Sequence, residues 1–113
     1  MRKKSLEDII KIDTQLKFLP DLIVMAQKFI NPHRIILFGS RARLDHTKKS
    51  DVDLAFDIPE NMNSRWSRFI AEAEENLKTL LKLDLLQIKS AHHKIIESIE
   101  KEGIIIYDSQ NKN

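Results

Sequence analysis

The chain contains no cysteine and no long apolar run, and each absence excludes a class of protein. Without cysteine it can form neither a disulfide bridge nor a thiolate metal site. Its longest uninterrupted apolar stretches, such as residues 22–26, are far too short to cross a bilayer. Acidic residues interrupt the apolar positions of "SLEDIIKIDTQLKF", so this segment lacks the core of a signal peptide. We therefore expect a soluble, cytoplasmic protein.

The chain also lacks a strong excess of charge of either sign. Nineteen Lys and Arg residues stand against seventeen Asp and Glu residues, which gives a formal net charge of +2 at pH 7. A dedicated nucleic-acid binder carries a clear basic excess, so stable nucleic-acid binding is not expected. The 113 residues, 42% of them hydrophobic, predict one domain with a packed core over residues 1–113.

Two apolar stripes at helical spacing open the chain. Leu6, Ile9 and Leu16 follow the candidate N-cap Ser5, and Pro20 breaks the pattern because its ring clashes with the preceding turn. This predicts an additional N-terminal helix within residues 1–19. A second stripe predicts a helix that ends at "NPH".

Strand and helix patterns then alternate. The predicted strands are "RIILF", "SDVDLAFDI", "LDLLQI" and "IIIY", the second with its acidic residues on one face. An amphipathic pattern predicts a helix over residues 64–81, and a last helix follows over residues 90–103 with Ser90 as its cap. These patterns predict an α+β fold, a small mixed sheet of about four strands with helices packed on one face, and a flexible tail at residues 109–113.

Gly39 and Ser40 follow the first predicted strand, and "SRAR" can begin a short helix. The start of a helix presents unpaired N–H groups and a positive partial charge, which suits a phosphate group. The Ser40 hydroxyl adds a donor, and Arg41 and Arg43 add charge nearby. The alternative is a tight strand-to-helix turn in which Ser40 is a simple cap, and the dipeptide alone favours that alternative.

Asp51 and Asp53 are one residue apart in a predicted strand, so both carboxylates point to the same face. Two like charges there repel each other unless a cation neutralises them. Mg²⁺ suits such a site because it binds a few carboxylates together with phosphate oxygens. The alternative is a solvated strand face, to which Asp57 also belongs.

Asp84 stands inside the apolar run "LKLDLLQI", where the pattern predicts a buried strand. A lone buried carboxylate is costly unless it is paired or binds a metal. Lys82 and Lys89 are possible structural partners. A strand beside that of Asp51 and Asp53 would instead bring Asp84 to the same metal cluster.

Together, these segments predict one site for a nucleoside triphosphate. Gly39 and Ser40 contact the β and γ phosphates, and Asp51, Asp53 and Asp84 hold two Mg²⁺ ions at the α phosphate. In such two-metal sites one ion activates the attacking hydroxyl and the other stabilises the leaving pyrophosphate.

The segment "GSRAR", followed by Ser50-Asp51 and Asp53-Leu54, resembles the G-S-x-A-R…S-D-x-D-L signature of the minimal nucleotidyltransferases. These are the smallest branch of the DNA polymerase beta-like superfamily, and they often act as MntA-type antitoxins beside a HEPN partner. "EGIIIYD" resembles the closing strand of the family, so the resemblance covers roughly residues 20–108. One position departs from the pattern, since Leu44 stands where the family commonly has glycine.

The resemblance implies a role for each matching residue. The implied metal ligands and catalytic residues are Asp51, Asp53 and Asp84. The implied nucleotide-binding residues are Gly39, Ser40, Arg43 and Ser50. The implied substrate is ATP, and the implied cofactor is Mg²⁺ as two ions.

The resemblance also implies an activity and a partner. The family transfers AMP from ATP to a tyrosine of the HEPN toxin, and larger relatives carry a helical acceptor domain for which this chain has no residues left. We therefore expect the antitoxin of a type VII-like toxin–antitoxin pair. Two alternatives stay open: a non-catalytic antitoxin that masks its partner by binding, and a nucleotidyltransferase with an unknown acceptor.

Overall fold

A five-stranded mixed sheet forms the centre of the protein, which the computed structural model describes over residues 1–111. The strands are β1 (Arg2–Lys3), β2 (Arg34–Phe38), β3 (Val52–Asp57), β4 (Leu83–Gln87) and β5 (Ile104–Asp108). Their spatial order is β1-β5-β2-β3-β4, with parallel pairs at both edges and antiparallel pairs between them. The helices are α1 (Leu6–Ile12), α2 (Leu19–Phe29), α3 (Ser40–Arg43), α4 (Trp66–Asn76) and α5 (His93–Glu102).

Helices cover both faces of the sheet. Strand β2 is apolar on both sides, with Ile35 and Leu37 in a larger core and Ile36 and Phe38 in a smaller one. Helices α1, α2 and α4 contribute to the larger core, and α5 covers the other face through Ile99. The predicted α+β class is therefore confirmed. The prediction that the helices pack on one face of the sheet is wrong, because both apolar faces of β2 have to be buried.

The strand count also differs from the predicted four. Arg2 and Lys3 pair in parallel with Ile104 and Ile105 and add a short fifth strand at the edge. At the other end, the predicted tail at residues 109–113 begins with Ser109, whose amide donates a hydrogen bond to the His33 carbonyl over 2.9 Å. Residues 112 and 113 of that predicted tail lie outside the described residues.

Several helix ends differ from the sequence pattern. The first helix ends at Ile12, because Asp13 caps a separate 3₁₀ turn, Thr14–Leu16, by accepting a hydrogen bond from the Gln15 amide. The predicted helix over residues 64–81 is α4, and it ends at Asn76. The predicted helix over residues 90–103 is α5, and its cap is His92 rather than Ser90. Among the described residues, no helix is long and apolar enough to cross a membrane.

Strand β3 alternates as its sequence predicts. Val52, Leu54 and Phe56 enter the larger core, and Ala55 enters the smaller core on the opposite face. Asp53 lies on the same face as Ala55 because side chains alternate along a strand. The apolar side chains therefore anchor the strand, and the acidic side chains remain partly exposed.

Candidate nucleotide site

Three aspartates come together at one end of β3 and β4. The parallel register places Asp53 directly opposite Asp84, and Asp51 immediately precedes β3. Partial burial, followed by the negative charges of Asp84 and Asp51, raises the pKa of Asp53 to about 6. The carboxylates therefore repel one another across a short distance, as the sequence predicts for Asp51 and Asp53.

The surroundings of Asp84 differ from the prediction. Strand β4 is an edge strand, so Asp84 is exposed rather than buried. Lys82 lies 3.9 Å from Asp51, measured from Nζ to Oδ2. Within residues 1–111, neither Lys82 nor Lys89 forms an ion pair with Asp84. Asp84 therefore has no structural cation, and its neighbours are the two other carboxylates.

Asp57, the fourth acidic residue of this segment, belongs elsewhere. It lies at the far end of β3, and its Oδ2 atom accepts hydrogen bonds of 3.4 Å from Nε and Nη2 of Arg34 on the neighbouring strand. This ion pair separates Asp57 from the three-aspartate cluster. Asp57 is consequently a natural control position for Asp53.

Gly39 brings the phosphate-side turn against the carboxylates. Its φ of 76° lies in the region that favours glycine, and Phe38 before it pairs with Asp53 across the sheet. A Cβ atom at position 39 would overlap the carboxylate of Asp53. The turn therefore needs glycine both for its backbone angle and for the space that Asp53 occupies.

An open cleft of about 540 Å³ lies over this end of the sheet. Its lining residues are Gly39, Ser40, Arg43, Lys49, Ser50, Asp51 and Asp53. Sequence reasoning did not assign Lys49, whose signal is its place directly before Ser50-Asp51. Asp84 lines a neighbouring cleft of about 370 Å³ between α4 and β4.

Two of the implied nucleotide-binding side chains have protein partners. Hydrogen bonds to Glu102 and Asp45, of 2.6 Å and 3.0 Å, hold the pKa of the Arg43 guanidinium above its usual range. Arg43 thus links α3 to α5 across the rim of the cleft. The Ser50 hydroxyl accepts a hydrogen bond of 2.9 Å from the Thr47 amide and so stabilises the loop before Asp51.

The sequence position of Arg41 predicts that it adds charge beside the phosphates, and this prediction is wrong. Its side chain is fully buried, and Nη1 lies 2.8 Å from Oδ2 of Asp13. The sequence signal for this pair was the presence of Asp13 in an apolar helical stripe. A buried guanidinium with a buried carboxylate partner is a structural pair rather than a phosphate ligand.

The donor chemistry of the cluster fits Mg²⁺. Mg²⁺ is usually bound through one or two carboxylates plus substrate phosphates and waters. Within residues 1–111, no group of three or more His, Cys, Asp or Glu side chains is arranged to hold a metal ion by itself. Oxygens of a bound molecule or of water would therefore have to complete the coordination of Mg²⁺ at these aspartates.

Leu44 adopts the backbone conformation of the glycine it replaces. It caps the end of α3 with φ 65° and ψ 28°, a left-handed conformation, and its side chain is 52% exposed. This conformation costs a residue with a Cβ atom about 1–2 kcal/mol. The turn therefore keeps the shape that glycine would give it.

We expect Leu44→Gly to stabilise the protein. Relief of the left-handed strain exceeds the entropy that glycine loses on folding, so the free energy of unfolding should rise by about 0.5–1 kcal/mol. Thermal melts measure this change. Lys48→Gly in the same loop is the control, because φ is not positive there and the variant should lose stability. A lower melting temperature for Leu44→Gly would contradict the strain argument.

Gly39 and Ser40, which follow β2, thus line one cleft with Asp51 and Asp53 at the start of β3, an arrangement that suits nucleotidyl transfer. In agreement, the sequence model of the "Polymerase beta, Nucleotidyltransferase" family matches residues 20–112. The chain belongs to this family. A protein of Methanocaldococcus jannaschii named "Putative protein adenylyltransferase MJ1379" is 36% identical over 72 residues, which are 63% of this chain and 72% of that protein.

Solved structures share the fold. A crystal structure of a toxin–antitoxin with AMP-PNP contains a chain 21% identical to this one, with a TM-score of 0.57 over 80% of this chain and 73% of that chain. A complex of the tri-AMPylated Shewanella oneidensis HEPN toxin with the MNT antitoxin contains a chain 20% identical, with a TM-score of 0.53 over 85% and 74% of the two chains. The nucleotidyltransferase fold expected from the resemblance is thus confirmed.

Proposed function

We propose that this chain is a Mg²⁺-dependent adenylyltransferase that transfers AMP from ATP to a tyrosine of a HEPN toxin and acts as its antitoxin. The observation that carries the proposal is the cluster of Asp51, Asp53 and Asp84 beside Gly39. Partial burial and the negative charges of Asp84 and Asp51 raise the pKa of Asp53, and a bound cation would offset this repulsion. The adjoining turn leaves room for the phosphates that such a cation would share.

Names of relatives support the choice of nucleotide and acceptor. The archaeal relative is named as a protein adenylyltransferase, and one structural neighbour is a toxin–antitoxin with AMP-PNP. Another neighbour is a complex that contains an AMPylated HEPN toxin. An adenine nucleotide is common to these three names, and a HEPN protein as the acceptor rests on the last of them.

Each residue of the site has a task in the proposed transfer. Gly39 lets the backbone approach the phosphates, and the hydroxyl of Ser40 and the ammonium of Lys49 donate hydrogen bonds to their oxygens. Asp51 and Asp53 hold Mg²⁺ from the sheet, and Asp84 does so from its edge. When bound, Mg²⁺ neutralises phosphate charge and favours the deprotonated acceptor. The tyrosine oxygen attacks the α phosphorus, and pyrophosphate leaves.

Label transfer tests the proposal. The purified protein is incubated with Mg²⁺, ATP labelled in its α phosphate and the HEPN protein encoded beside it. We expect label on the HEPN protein and an AMP adduct on tyrosine by mass spectrometry, whereas ATP labelled in its γ phosphate should give none. Asp51→Asn should abolish labelling, because it removes one carboxylate ligand.

Asp57→Asn is the matched control for that experiment. It makes the same chemical change on the same segment, but at a residue paired with Arg34, so labelling should continue. No label with the native chain, or equal label with Asp51→Asn, would contradict the proposed activity. If Asp51→Asn, Asp53→Asn and Asp84→Asn combined still neutralise the toxin, the antitoxin acts by masking its partner.

A further inference from the structure

We propose that Arg41 and Asp13 are positioning residues of the nucleotide site, which fix the loop of residues 47–50 and thereby the carboxylate of Asp51. The inference rests on the proposed nucleotide chemistry of that site. Asp13 precedes residues 20–112, which match the family. On this proposal, the N-terminal segment contributes to the site through Asp13 as well as to the fold.

The guanidinium of Arg41 holds three consecutive parts of the loop. Its Nη2 atom donates to the carbonyl oxygens of Thr47, Lys48 and Ser50 over 3.3, 3.4 and 2.9 Å. Its Nε atom donates to the Ser50 carbonyl over 3.2 Å. A planar fork of five donors on three nitrogens can bind the loop carbonyls on one side and Asp13 on the other, whereas the three donors of lysine lie on one nitrogen and cannot span both.

The other side of the guanidinium is held by the N-terminal segment. The Nη1 atom of Arg41 donates to Oδ2 of Asp13 over 2.8 Å and to Oε1 of Gln15 over 3.2 Å. Gln15 also donates from Nε2 to the Lys48 carbonyl over 3.1 Å. Nε2 of His46 lies 3.3 Å from the same Oδ2 of Asp13. Asp13 thus compensates the buried charge and fixes the orientation of the fork.

The loop in turn fixes the backbone on both sides of Asp51. On one side, the Ser50 carbonyl, which belongs to the peptide group that precedes Asp51, accepts two hydrogen bonds from Arg41. On the other side, the Val52 amide donates to the Lys82 carbonyl over 3.0 Å. The side chain of Asp51 itself is 43% exposed, and its contact with the exposed Lys82, 3.9 Å from Nζ to Oδ2, is a weaker restraint. Its direction toward the cleft therefore depends on these two peptide groups.

Both Arg41 and Asp13 are buried far from solvent, with 0% and 5% of their side-chain surfaces exposed. Removing one partner leaves the other as an uncompensated buried charge. Arg41→Lys keeps the charge and loses the planar fork, whereas Asp13→Asn keeps the size but removes the compensating charge, so Arg41→Lys is the milder variant of the two. We expect each to release the loop while the remaining core stays packed.

Nucleotide binding and loop protection test the inference together. Calorimetric titration with Mg²⁺ and AMP-PNP gives the Kd, and outer-shell partners of metal sites typically contribute about 10–100-fold to affinity. We expect Arg41→Lys and Asp13→Asn to weaken the Kd by a factor in that range. In the metal-free protein, we expect faster hydrogen exchange of the amides of residues 47–52 without a matching change in β5.

Leu22→Ala is the control for a general loss of stability, because Leu22 is an apolar residue of α2 that is fully buried in the larger core. It should lower the melting temperature and leave the Kd unchanged. If Arg41→Lys lowers the melting temperature as Leu22→Ala does, but binds Mg²⁺ and AMP-PNP as tightly as the native chain, the inference is overturned. A native chain that fails to bind the nucleotide overturns the proposed function, and the inference with it.

Gln15→Ala keeps the test decisive if Arg41→Lys does not fold. Gln15 is exposed, and its side chain contacts both the guanidinium and the Lys48 carbonyl. We expect a weaker Kd by a smaller, severalfold factor together with faster exchange in residues 47–50. Unchanged values for both measurements would contradict the role of this network.

Discussion

Asp53→Asn is expected to stop AMP transfer and yet to stabilise the metal-free protein. Loss of a carboxylate from the site removes several kilocalories per mole of charge stabilisation, or about 10³-fold in rate. In the absence of a cation the same carboxylate is a liability, because burial and its neighbours Asp84 and Asp51 oppose its negative charge. Activity and stability should therefore change in opposite directions.

The sign of this effect depends on pH. The pKa of Asp53 is raised from 3.8 to about 6 in the folded protein, so the folded state binds a proton more tightly than the unfolded chain does. The free energy of unfolding consequently falls as the pH rises from 3.8 to about 6, and the loss persists above that range. Because the carboxyl is only half-buried, solvent screening reduces the loss to about 1 kcal/mol.

Thermal melts in EDTA at pH 8 and at acidic pH measure the difference. At pH 8, Asp53→Asn should melt about 4 °C above the native chain, and below the ordinary pKa of Asp53 the two should agree. Asp57→Asn provides the comparison, since it removes an ion pair with Arg34 and should give no gain at pH 8. A gain that persists at acidic pH would show that repulsion among the carboxylates is not its cause.

Gly39→Ala should combine a loss of stability with a loss of nucleotide binding. Its left-handed backbone angle alone costs about 1–2 kcal/mol for alanine, and the new methyl group would displace the carboxylate of Asp53. A displacement of about 1 Å in a reacting group can lower a rate by about 10²-fold. We expect a reduction of that size in label transfer, together with a lower melting temperature.

Gly103→Ala distinguishes the two effects of the Gly39 substitution. A Cβ atom at Gly103 would meet the Ile99 carbonyl and the side chain of Ile36, within the smaller core. It should therefore lower the melting temperature without a change in the Kd for Mg²⁺ and AMP-PNP. Native binding by Gly39→Ala would show that Asp53 yields to the methyl group at no cost to the site.

The sequence predicts those parts of the site that depend on local geometry. The two-residue period of β3 is sufficient to align Asp51 with Asp53, and the position of Gly39 after a strand is sufficient to predict a turn. The alternation within one strand does not indicate which other strand will pair with it. The apolar run around Asp84 therefore predicts a buried strand, whereas β4 lies at the edge of the sheet and exposes this aspartate.

Long-range pairs show the same limit. Arg41 and Asp13 are 28 residues apart, and nothing in the charge pattern near Arg41 indicates that its side chain turns away from the phosphates. The direction of the Arg41 side chain is determined by the sheet and α1, which together enclose a site where only a compensated charge is stable. Likewise, the helix cap moves from Ser90 to His92 because Ser90 is itself the last residue of a 3₁₀ turn, Ile88–Ser90, after β4.

The edge position of β4 determines how an acceptor can reach the carboxylates. Asp84 is open to solvent at the outermost strand, so a hydroxyl group on the surface of a folded protein can come alongside it without a lid having to open. In the proposed transfer to a toxin, selection among hydroxyl groups would then depend on the fit between two protein surfaces, so the choice of partner would determine the specificity.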